Sequence, residues 1–111
     1  MTKVTFYRTQ DCLTAVDLLG HAGYAEEGED IVCAAVSSSV QLLHALLYDV
    51  QKIAVDTLIE DEGAHICLTL PDNQIEAGQD GLRAFQLHLT ELAENYSEFI
   101  QVTEVYNDAA D

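Results

Sequence analysis

The sequence predicts an α+β domain of two layers, one mixed or antiparallel sheet with two helices packed on it, in the order ββαββαβ. Two observations carry this expectation. Five short segments alternate apolar and polar residues as strands do, and two longer ones repeat apolar residues every three or four positions, as helices do. The chain has 111 residues, 49% of them hydrophobic, which suits one compact domain and excludes a disordered acidic segment. That domain is expected over residues 1–107, followed by an acidic tail over 108–111.

Val4-Thr5-Phe6-Tyr7-Arg8 alternates as a first strand, Gln10-Asp11 turns the chain, and Leu13 to Leu18 forms a second strand. Residues 20–30 hold three glycines and four acids with almost nothing to bury, so they read as a mobile loop. From Ile31 to about Lys52 the period becomes helical: Val32, Val36, Leu43, Leu46, Leu47 and Val50 make one stripe. Asp30 is placed to cap this helix. Val55–Glu60 and Ala64–Leu70 form a hairpin around Asp61-Glu62-Gly63, with Ile66, Leu68 and Leu70 on one face of its second arm. A second helix is expected from about Leu82 to Tyr96, capped by Asp80, and Phe99–Tyr106 closes the sheet.

Charge narrows the function classes. Four Lys and Arg stand against 20 Asp and Glu, a formal net charge of −16. Such a chain repels phosphate backbones, which argues against direct nucleic-acid binding, and it attracts basic partners. Taken alone, the acidity fits solubility equally well. Met1-Thr2-Lys3-Val4 lacks a signal-peptide pattern and no apolar run is expected to span a bilayer, so a soluble cytosolic protein without membrane contact is expected.

Three cysteines, Cys12, Cys33 and Cys67, make an odd count that disfavours a disulfide framework. No Cys-x-x-Cys or His-x-x-x-His spacing is present, so no metal or other cofactor is expected. Cys12 and Cys67 read as small hydrophobes, and His44, His65 and His88 as structural or exposed, with no cysteine or carboxylate at a suggestive spacing.

The chemistry gathers between Gly20 and Ser37. With Asp30 as cap, Cys33 is the third residue of its helix, where unpaired amides and the positive helix end favour a thiolate. His21 ends its strand twelve positions earlier, and a loop of that length can return the chain to it. A Cys/His pair on two rigid elements is the minimum for thiol nucleophilic catalysis; packing and surface roles are the bland alternatives. The amides of Cys33 and Ala34 are candidates for an oxyanion site, and Gly20, Ala22, Ala34 and Ala35 leave room for a substrate backbone. Glu26, Glu27, Glu29 and Asp30 oppose a second anion unless water screens them. Ser37, one turn beyond Cys33, either hydrogen-bonds near the site or faces solvent.

Gly20-His21-Ala22, the acidic loop, and Gly28-x-Asp30-Ile31-Val32-Cys33-Ala34-Ala35-Val36-Ser37 resemble the signature of the ribosomal-processing cysteine proteases, the Prp family. Length and element order agree over essentially the whole chain. The resemblance implies a cytoplasmic bacterial endopeptidase and homodimer. Its family substrate is the N-terminal extension of large-subunit ribosomal protein twenty-seven, a basic protein, cleaved after a Phe. It makes His21 the general base and Cys33 the nucleophile, with Asp30 and Ser37 in supporting positions. Asp30 is read as the helix cap rather than as a third catalytic group, leaving a dyad. The loop is then a candidate gate over the peptide. Phe6, Ile66 and Tyr96 either line a phenylalanine pocket or lie in the core, the core being preferred. The competing readings are a non-catalytic acidic adaptor for a basic ribosomal protein and a thiol hydrolase of a non-peptide ester.

Overall fold

Alternation along the strands sorts their side chains into two faces, and the register shows which face is buried. In the computed structural model, which describes residues 1–26 and 29–107, the strands are β1 (Thr2–Thr9), β2 (Cys12–Leu19), β3 (Asp56–Glu60), β4 (His65–Thr69) and β5 (Ile100–Tyr106). They form one sheet in the order β3-β4-β2-β1-β5. β5 runs parallel to β1 and the other pairs are antiparallel, so the sheet is mixed. Val4 faces Leu18, Phe6 faces Val16, and Val16 and Leu18 face Leu68 and Ile66 across the next pair. Val4, Phe6, Val16, Leu18 and Leu68 are buried, and together they form the floor of the core.

Two helices roof that floor, α1 (Ile31–His44) and α2 (Gln79–Asn95). Val32, Val36, Val40 and Leu43 of α1 and Leu82, Phe85 and Leu89 of α2 are the buried stripes. Phe85 packs on Phe6 with ring centroids 6.0 Å apart. A Cβ on Gly81 would sit 3.2 Å from side-chain carbons of Leu46 and Leu47, so the missing side chain sets how closely the helices approach. The two-layer α+β architecture predicted above is the one observed.

Several expectations need correction. The helix that starts at Ile31 is α-helical only to His44 and continues as a π-helical segment, Ala45–Val50, that buries Leu47. Taken as one rod, Ile31–Val50 is long and apolar enough to cross a membrane by length and composition, which the sequence reading did not allow for. Ser37, Ser38, Ser39, Gln41 and His44 interrupt its apolar letters without making the average polar, and in the fold one stripe of the rod packs on the sheet. α2 begins at Gln79 with Gly78 as its cap, and Asp80 lies inside the first turn. A Cβ on Gly78 would lie 2.5 Å from Leu70 Cδ2, so the residue before the helix has no room for a side chain.

The loop before α1 was expected to bury almost nothing. Its described part instead buries Ala22 and packs Tyr24 edge-on against Tyr96 and Phe99, at centroid distances of 6.0 and 5.3 Å. Glu27, Gly28 and the acidic tail 108–111 lie outside the described residues.

Candidate active site

Asp30 organises the start of α1. Its Oδ1 accepts the amides of Val32 and Cys33 at 3.0 and 2.9 Å, and its Oδ2 accepts the Tyr24 amide at 3.0 Å. The Cys33 amide is the leading cause that holds this carboxyl below the usual carboxylate range, with the Tyr24 amide adding to it against the opposing effect of burial. One side chain thereby caps the helix and closes the loop. Both oxygens are committed to backbone amides, which supports the reading of Asp30 as a cap.

The same bonds change the expected oxyanion site. The Cys33 amide is engaged by Asp30 Oδ1, and the Ala34 amide donates to the Asp30 carbonyl at 3.0 Å. Neither is free to face a developing oxyanion in this arrangement. The donor that does reach the sulfur is one the sequence did not point to: the Ala22 amide lies 3.2 Å from Cys33 Sγ.

His21 leaves β2 through Gly20. Gly20 has φ +93°, and a Cβ there would sit 2.6 Å from the Met1 carbonyl oxygen, so the position calls for glycine for two reasons. The Gly20 amide donates to the Ala64 carbonyl at 2.9 Å, and the Thr2 hydroxyl donates to the Gly20 carbonyl at 3.2 Å. Gly20 is thus a strand-end pivot, rather than only a gap for substrate, and His21 stands exposed just beyond it.

His21, Cys33 and Ser37 line two adjoining cavities, so the structure does bring the predicted pair to one place. One cavity, about 370 Å³, reaches toward the β3–β4 hairpin over Leu18, Val36, Ile59 and Ile66. The other, about 980 Å³, opens beneath the loop beside Glu26, Glu29, Asp30 and Ala34. Ser37 is solvent-exposed between them, and Ile66, expected in the core, also forms cavity wall. Phe6 is fully buried and Tyr96 packs against Tyr24, as core residues.

His65 also lines the smaller cavity and departs from expectation, because it has carboxylate partners. Its Nε2 bonds to Asp17 Oδ1, and its Nδ1 lies 3.1 Å from Glu60 Oε1. Asp17, then Glu60, raises its pKa above the ordinary imidazole value. The Glu60 contact was findable, since these residues pair across the predicted hairpin turn; Asp17 comes from another strand. His44 stacks on Tyr48 at 5.3 Å, and His88 lies on a separate groove between the helices. The three cysteines are free thiols, and burial pushes that of Cys67 up. Among the described residues, no group of three or more His, Cys, Asp or Glu is arranged to hold a metal ion.

The family model described as cysteine protease Prp matches residues 1–101. The chain belongs to that family. It is therefore a cysteine-type peptidase, a hydrolase, as the resemblance implied. A protein of Streptococcus mutans has the same fold, at 34% identity and a TM-score of 0.84, with 96% of each chain covered. The essential ribosomal processing protease Prp of S. aureus, in complex with a covalently linked product peptide, matches at 26% identity and a TM-score of 0.86, covering 95% of this chain and 100% of that one. The S. aureus protease with a substrate peptide matches at 25% identity and a TM-score of 0.81, covering 96% and 100%. No curated protein matches the chain.

Proposed function

We propose that this chain is a cytoplasmic endopeptidase that removes the N-terminal extension of large-subunit ribosomal protein twenty-seven, cutting after a Phe, and that it works as a homodimer. The observation that carries the reading is the shared cleft of His21 and Cys33 at the capped start of α1, in a chain of the Prp family. The S. aureus relative, a ribosomal processing protease bound to peptides, supports the substrate class. A basic substrate also suits a net charge of −16.

In this mechanism His21 takes the proton from Cys33, and the thiolate attacks the carbonyl carbon after the substrate Phe. The tetrahedral intermediate collapses as His21 protonates the leaving amine, which frees the downstream peptide and leaves a thioester. His21 then deprotonates a water that attacks the thioester, releasing the acid product and restoring the thiol. The Ala22 amide donates to the Cys33 sulfur and so fixes its position beside the loop. Asp30 keeps the helix start in place, and Ser37 supports the cleft between the two cavities.

The test is incubation of the purified protein with the N-terminal peptide of its own ribosomal protein, followed by mass spectrometry. Cleavage at one Phe is expected, with complete loss in Cys33→Ala and in His21→Ala. Turnover retained by Cys33→Ala would overturn the nucleophile, and near-normal rates in His21→Ala would remove the base. Salt-sensitive binding without cleavage, indifferent to alkylation of Cys33, would instead identify the acidic adaptor.

A further inference from the structure

The cleft at Cys33 does not stop at the Cys/His pair. Ile59 and Ile66 line the 370 Å³ cavity and also a neighbouring one of about 300 Å³. The neighbour is walled by Val40, Gln41 and His44 on the helix side and by Thr57 and Leu68 on the sheet side. Cys33, Ser37, Val40, Gln41 and His44 are spaced by helical turns, so one stripe of α1 runs from the nucleophile along the whole groove. Opposite it lies β3, the edge strand of the sheet. Register pairs Thr57 with Leu68 and Ile59 with Ile66, so both belong to the helix-facing side. Ile59 is nevertheless 62% exposed, because neither helix covers that edge. Thr57 Oγ1, in the same wall, is buried and has no hydrogen-bond partner among the described residues.

We infer that this groove is a remote substrate subsite, taking an apolar side chain three to five residues from the scissile bond as the peptide lies extended beside β3. The inference rests on the peptidase reading above. Val40 and His44 stand seven and eleven residues beyond Cys33, which is about 10–16 Å along the helix. An extended peptide advances about 3.3 Å per residue, so its third to fifth residue from the reacting carbonyl reaches the groove. Val40, Ala45, Ile59, Ile66 and Leu68 make the lining chiefly apolar, and Asp49 also lines it, so an acidic side chain seated there loses its water and meets a like charge. An edge strand offers main-chain bonds to an added extended segment.

The test uses peptides in which each position from the second to the sixth, on either side of the scissile bond, carries Leu or Asp in turn. With the unmodified protein, one position among the third to fifth is expected to favour Leu by at least about tenfold in kcat/KM. Gln41→Trp, at an exposed helix position, fills the groove mouth and is expected to bring that ratio close to one while ratios at other positions keep their profile. A flat profile in the unmodified protein, or a preference untouched by Gln41→Trp, overturns the subsite and leaves the peptidase intact. If no peptide is cleaved, the peptidase reading fails instead. Calorimetry of the same Leu and Asp pairs on Cys33→Ala then decides the subsite separately: tighter binding of Leu at that position supports it, and equal affinities overturn it.

Discussion

Gly20 shows how a single residue ties fold to chemistry. Its left-handed φ and its approach to the Met1 carbonyl turn the chain out of β2 just where His21 must leave the sheet. Gly20→Ala is expected to destabilise the protein by about 1–3 kcal/mol from backbone strain alone. The accompanying shift of His21 should lower kcat as well; thermal unfolding and peptide cleavage read the two effects separately. Asp30 works on the other side of the cleft. Because backbone amides hold its carboxylate below the usual range, the cap stays ionised at neutral pH and keeps both α1 and Tyr24 in place. The Ala22 amide completes this set, as a donor to sulfur supplied by the loop rather than by the helix.

At the scale of elements, polar side chains fasten the helix layer and the sheet. Gln79 Nε2 donates to the Leu13 carbonyl at 2.6 Å, and its Oε1 accepts the Leu13 amide at 2.8 Å, pinning the first turn of α2 to the start of β2. Leu13 is fully buried, so removing this partner strands two backbone groups. Gln79→Ala should cost about 1–3 kcal/mol, measurable by denaturant unfolding. His65 joins three strands through Asp17 of β2 and Glu60 of β3. Its folded pKa is raised, so the stabilisation is complete below the ordinary imidazole value and is lost as pH rises through the folded one. Between about pH 6 and about pH 8.5 the unmodified protein should lose more Tm than His65→Gln does. Equal losses in the two proteins would show that the tie contributes nothing.

For the whole molecule, the net charge of −16 acts at long range. Its field extends little beyond a Debye length, about 8–10 Å at moderate salt, so attraction of a basic substrate is salt-sensitive. For such a substrate kcat/KM should fall roughly tenfold as salt rises from about 0.02 to about 0.3 M, while an uncharged peptide shows little change. Stopped-assay cleavage rates across a salt series check this. The two cavities at the Cys/His pair divide the remaining task between them. An acidic wall lies under the loop, and an apolar floor leads toward β3.

Period-two and period-3.6 patterns are local, so the sequence by itself determined the fold class, the order of seven elements, the Asp30 cap and the nomination of His21 and Cys33. It also carried the family signature, because those residues sit at fixed short spacings. Tertiary structure alone decided which groups meet across long separations. Asp17 and His65 are 48 residues apart, and Gln79 and Leu13 are 66 apart. The amides of Cys33 and Ala34 turned out to be engaged, while that of Ala22 reaches the sulfur. The uncovered edge beside Ile59 and Thr57 likewise belongs to no local pattern. A sequence period specifies the face on which a side chain lies; strand register and helix docking then specify what that face meets.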